Sequence, residues 1–106
     1  MNIVDIRNVE NNSRLLLETT NAIYDIRVLD NKEGRVEISG GNKLEKTTEA
    51  SLIGACWKQK RYLYEIRKNM TVEISYDGSK LTTARVLNVV VYGPDEQWHY
   101  DMEWNK

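Results

Sequence analysis

The chain has 106 residues, 41% of them apolar and 29% charged, and its 15 Lys and Arg face 16 Asp and Glu for a formal net charge of −1. That is the composition of one globular domain able to bury a core without disulfide or metal. It excludes a disordered chain, and it excludes an overall field that would draw nucleic acid or an anionic membrane to the whole surface. Cys56 is the only cysteine, so no intrachain disulfide forms, and MNIVDIRNVENNSR carries no basic and then apolar leader. No apolar run approaches the ~18–20 residues that span a bilayer. The expected setting is the cytoplasm.

Period-2 patterning dominates from the start. IVDIR and RLLLETT flank the polar NVENNS, which suggests a first hairpin. In AIYDIRVL, Ala22, Tyr24, Ile26 and Val28 share one face; DNKEG, 30–34, supplies turn residues, and RVEIS resumes the alternation through Val36 and Ile38. SGGN, 39–42, lacks the Lys-Ser/Thr of a phosphate loop and reads as a turn.

Residues 42–69 are ambiguous. Asn42 with Glu45 suits a capping box, and Leu52, Ile53, Cys56, Trp57, Leu63 and Ile66 fall in a helical stripe. Gly54, Thr47-Thr48 and the alternating YLYEI oppose a helix. Strands with loops are expected, with a short helix within 43–66 as the alternative. Beyond them TVEISY alternates again and leads into Asp77-Gly78, a tight-hairpin signal. VLNVVVY, 86–92, is apolar on both faces and reads as a central strand; GPDE, 93–96, is a turn, and QWHYDMEW, 97–104, alternates once more. Residues 70–104 are thus expected to form a three-stranded meander.

Thr19, Asn21 and Tyr24 (T-x-N-x-x-Y), then Ser39-Gly40-Gly41, then Thr48, Ala50, Leu52 and Gly54 (T-x-A-x-L-x-G), then Met70, Glu73, Thr82-Thr83 and Val86 stand in an order that resembles a group of short, functionally uncharacterised bacterial proteins. The resemblance covers about residues 15–90 and implies an all-β fold and no particular activity. GACWKQKR is basic and bulky where that group is Gly/Ser-rich, and Asn69 stands where it has glycine.

Chemistry-bearing residues are few. His99, Asp101 and Glu103 share one strand face, spaced for two of them to meet one ion, but zinc and iron sites ordinarily draw on several His or Cys. One His and one Cys are present in all. A solvated strand face is the better reading, and no metal or cofactor is expected. No Gly-x-Ser-x-Gly elbow accompanies His99, and Cys56, between Ala55 and Trp57, reads as a small apolar filler, so no enzyme is expected. The opposite face, Trp98, Tyr100, Met102 and Trp104, is either core or an aromatic surface for a protein partner or a second copy. WKQKRYLYEIRK interleaves cations with aromatics: Trp57, Lys58, Lys60, Arg61, Tyr62 and Tyr64 are the candidates for single-stranded RNA or DNA, with Arg67 and Lys68 beyond them. The expectation is an all-β single domain, a small antiparallel barrel or strongly curved sheet of six to eight strands. Its expected function is non-catalytic binding, first of protein or of itself, alternatively of nucleic acid.

Overall fold

The computed structural model describes residues 3–41 and 44–95. Among the described residues ten strands form in chain order: β1 (Ile3–Asp5), β2 (Arg14–Thr19), β3 (Ile23–Asp30), β4 (Arg35–Gly40), β5 (Leu44–Trp57), β6 (Lys60–Leu63), β7 (Glu65–Arg67), β8 (Thr71–Tyr76), β9 (Ser79–Thr82) and β10 (Val86–Tyr92). Eight of them make one antiparallel sheet in the order β10-β2-β3-β4-β5-β8-β9, with β6 also paired to β5; β1 and β7 make a second, two-stranded sheet. The all-β expectation holds. The sheet is not closed or strongly curled, so neither a barrel nor a strongly curved sheet describes it.

The alternation in the sequence becomes one buried face. Leu15, Leu17, Ile26, Val28, Val36, Ile38, Leu52, Val72, Ile74, Val86 and Val89 are at most 2% exposed and belong to one apolar cluster. Val4, Ile66 and Ile6 join the same cluster from β1, β7 and the 3-10 turn Ile6–Asn8. The small sheet thus caps the buried face of the large one, and each fully buried Ile or Leu contributes about 2 kcal/mol of burial. The radius of gyration, 12.9 Å, is that of one compact domain of this size. On the outer face Arg14–Asp25, Arg27–Glu37 and Arg35–Glu49 form ion pairs across β2, β3, β4 and β5, which keeps that face wet and fixes register.

Residues 43–66 hold no helix among the described positions; Leu44–Trp57, Lys60–Leu63 and Glu65–Arg67 are strands joined by short turns. The helical stripe fails because β5 is a shared strand. Its first half pairs with β4, its second half with β6 on one side and β8 on the other. Gly54 makes this junction possible: its φ is +151°, and a Cβ there would lie 2.2 Å from the Tyr62 carbonyl oxygen. Asn42 of the proposed capping box lies outside the described residues.

Three other expectations are corrected. β1 pairs with β7 and not with β2, so IVDIR and RLLLETT are not a hairpin. Asp77 and Gly78, at φ +47° and +73°, do turn the chain tightly, but into the short β9, which sequence reading overlooked. β10 then leaves that hairpin to pair with β2 and not with β8, so TVEISY and VLNVVVY are not successive strands of a meander; the expected strand at 97–104, on which a central place for VLNVVVY depends, lies outside the described residues. Along this crossover, Thr83 exchanges hydrogen bonds with Val72, and Val86 N–H donates to the Met70 carbonyl while its own carbonyl accepts from Asn69 N–H. Asn69 has φ +71°, a conformation that suits glycine or asparagine.

A cationic and aromatic candidate site at the β5–β6 hairpin

The β5–β6 pairing sets Trp57 opposite Lys60 and Ala55 opposite Tyr62. Those four side chains therefore share one face, the one that runs inward to the core, while Arg61 and Cys56 share the other. Trp57 lies beyond the core and is 37% exposed. Lys58, at φ +57°, and Gln59 form the tip.

Two guanidinium groups close over the two rings. Arg85, on the β9–β10 connection, lies 4.9 Å from the Trp57 ring centroid, and its Nε donates to the Asn69 carbonyl at 3.3 Å. Arg67, on β7, lies 3.6 Å from the Tyr62 centroid. Because Arg67, Lys68 and Asn69 are consecutive, the contacts run without a break from Trp57 through Arg85 and Asn69 to Arg67 and Tyr62. In residues 57–62, 65–69 and 85 the cations Lys58, Lys60, Arg61, Arg67, Lys68 and Arg85 meet one carboxylate, Glu65. Two shallow recesses open there, one of about 490 Å³ lined by Trp57, Lys58, Gln59 and Lys60, the other of about 400 Å³ lined by Ile3, Arg67, Lys68, Asn69 and Met70.

Of the six residues singled out from sequence, the fold keeps Trp57, Lys58, Lys60 and Tyr62 together. Arg61 turns to the other face, where its Nε donates to the buried Glu73 carboxylate at 3.0 Å and Lys80 Nζ reaches the same carboxylate at 3.0 Å. The hydrogen bond from Lys80, with those from Cys56 and Arg61 and the Arg61 charge, holds the Glu73 carboxyl below the usual glutamate range against the opposing effect of burial. Tyr64, at φ +63°, packs its ring on Gly34 with Arg7 5.1 Å from its centroid, apart from the Trp57 face. Arg85 was missed because nothing in TARV signals it; only the crossover carries it to Trp57.

Trp98, Tyr100, Met102, Trp104 and His99 lie outside the described residues. Among the described residues no group of three or more His, Cys, Asp and Glu side chains is placed to hold a metal ion. Compared with protein-family models, curated proteins and solved structures, the chain matches none.

Proposed function

We propose that the protein is a non-catalytic binding domain that takes single-stranded nucleic acid on the Trp57–Tyr62 face. The observation that carries this is the pairing of each exposed or half-exposed ring with a guanidinium, beside the unbridged ammonium groups of Lys58, Lys60 and Lys68 among the described residues. Single strands need cations that track phosphates and flat rings for bases, in one groove and without a sequence code. The acidic remainder of the chain confines the attraction to this end. Titration of the full chain with fluorescein-labelled oligo(dT) and oligo(U) tests the reading. Micromolar binding at low salt that is lost in Lys58→Glu/Lys60→Glu supports it, and absence of binding at low salt rejects it.

A further inference from the structure

Among the described residues three arginines lie over aromatic rings. Arg7 covers Tyr64 at 5.1 Å, Arg67 covers Tyr62 at 3.6 Å and Arg85 covers Trp57 at 4.9 Å. They end the tripeptides Asp5-Ile6-Arg7, Glu65-Ile66-Arg67 and Thr83-Ala84-Arg85, so two follow an acid and one follows a hydroxyl. On β7, Glu65 and Arg67 point the same way because alternate side chains of a strand share a face. Glu65 Oε1 accepts from Arg67 Nε at 2.7 Å, and the Asp5 carboxylate accepts from Arg7 Nε at 3.1 Å and Nη2 at 2.9 Å. Thr83 does nothing of the kind for Arg85: its hydroxyl accepts from Val72 N–H and donates to the Ala84 carbonyl. Arg85 Nε donates to the neutral Asn69 carbonyl at 3.3 Å, and among the described residues no carboxylate pairs with it. The three arrangements look alike, but only Arg85 keeps its charge uncancelled.

We propose that Glu65 stands in the place of a strand phosphate at Arg67, holding that arginine closed, while Arg85 over Trp57 makes the arginine–phosphate contact. This rests on the nucleic-acid reading and adds to it which ring anchors the strand and which residue limits its grip. Guanidinium groups hold carboxylate and phosphate through the same N–H donors, so an acid already seated on one competes with the strand. A phosphate brought to Arg67 would meet the Glu65 charge beside it. At Arg85 the seated acceptor is a neutral carbonyl, which leaves the charge for a phosphate whose base lies at Trp57, with Lys60 directly across the β5–β6 pair. Glu65 is thus an internal counter-anion: it ties Arg67 to β7 and withholds it from the strand.

Anisotropy of labelled oligo(dT) across a salt series tests this with the full chain and its Glu65→Gln, Arg67→Gln and doubly substituted variants. Glutamine keeps an oxygen that accepts from Arg67 Nε, and urea midpoints show that each variant is folded. Glu65→Gln should bind about threefold to fivefold tighter at low salt, the worth of a partly exposed ion pair. It should also steepen the slope of log K against log salt by about 0.7, one more phosphate contact on a single strand. Arg67→Gln should leave the wild-type slope unchanged, and added to Glu65→Gln it should abolish the gain. Either single variant decides by itself. An Arg67→Gln variant that flattens the wild-type slope overturns the proposal, because Arg67 is then already on a phosphate. A Glu65→Gln variant with wild-type affinity overturns it, and so does a gain without steepening, which shows Glu65 repelling the strand only from a distance. Wild type and Glu65→Gln that both fail to bind at low salt reject the nucleic-acid reading and this proposal together; wild-type binding tells the two failures apart.

Discussion

Arg67 is held from two sides at once: its guanidinium lies 3.6 Å from the Tyr62 centroid, and its Nε donates to Glu65 Oε1 at 2.7 Å. Glu65 and Arg67 flank Ile66, the side chain by which β7 enters the core, so the outward pair clamps β7 while Ile66 anchors it. The same arginine thus serves stability and the cationic face. Arg67→Ala should lower stability by about 1 kcal/mol, since a partly shielded cation over an aromatic ring is worth about that much. Arg67→Lys should recover less than half, because an ammonium cannot stack flat on the ring. Urea denaturation of the three proteins decides this; equal midpoints for wild type and Arg67→Ala would show the stack to be energetically idle.

Glu73 predicts an acid-sensitive contribution. Its side chain is 6% exposed, and both its cationic partners are half-exposed. A carboxyl held below its usual range in the folded state binds its proton less readily than in the unfolded chain. The stability it supplies is therefore fully present above the ordinary glutamate pKa and lost as pH falls through the depressed one. Glu73→Gln should cost about 1–2 kcal/mol at neutral pH, as expected for charge-assisted hydrogen bonds to a buried group. The cost should shrink as pH falls below the ordinary range. Thermal melting of both proteins from pH 7 downward measures the difference, and a constant gap across that range would remove Glu73 as the titrating group.

The parts of the fold that sequence revealed are those set by local chemistry. Alternation marked β3 and β4 because each buries one face only, and β8 because its apolar Val72 and Ile74 share a face, although Glu73 on the other is buried too; Asp77-Gly78 marked a turn because it tolerates positive φ. What stayed hidden is long-range. β1 finds β7 across more than fifty residues, and β10 crosses to β2, through hydrogen bonds that any extended segment can make. VLNVVVY reads as central since both faces are apolar, yet among the described residues its outer face carries the exposed Leu87 and Val90. At the site, the hairpin cluster was legible as composition, but which cations face the rings was not. Period-2 pairing sends Arg61 to Glu73, and only the crossover brings in Arg85.

Two glycines in turns and strands should behave very differently. Gly54→Ala pushes a Cβ into the Tyr62 backbone at the point where β5 serves β6 and β8 together. With backbone as the obstacle and φ unfavourable, the loss should exceed about 2 kcal/mol. Gly78→Ala at φ +73° meets nothing within 4 Å. It should cost about 1 kcal/mol, the conformational penalty alone. Denaturation midpoints check the order; a Gly78→Ala loss as large as that of Gly54→Ala would refute the steric argument at β5.

The proposed nucleic-acid face makes a prediction in two separable parts. Lysine contacts to phosphates release counterions, so log K should fall linearly with log salt, and each phosphate-contacting cation removed should flatten the slope by about 0.7 for a single strand. Lys60→Gln and Lys68→Gln should each do so. Trp57→Ala should weaken binding by about 1–3 kcal/mol through lost stacking and leave the slope unchanged. Arg85→Gln should combine the two effects, since its guanidinium both lies over Trp57 and adds a charge. Fluorescence anisotropy at four salt concentrations for each variant supplies the slopes. If the lysine variants lost affinity with no change of slope, those residues would not be contacting phosphates; if Trp57→Ala flattened the slope, the ring would be acting only by positioning Arg85.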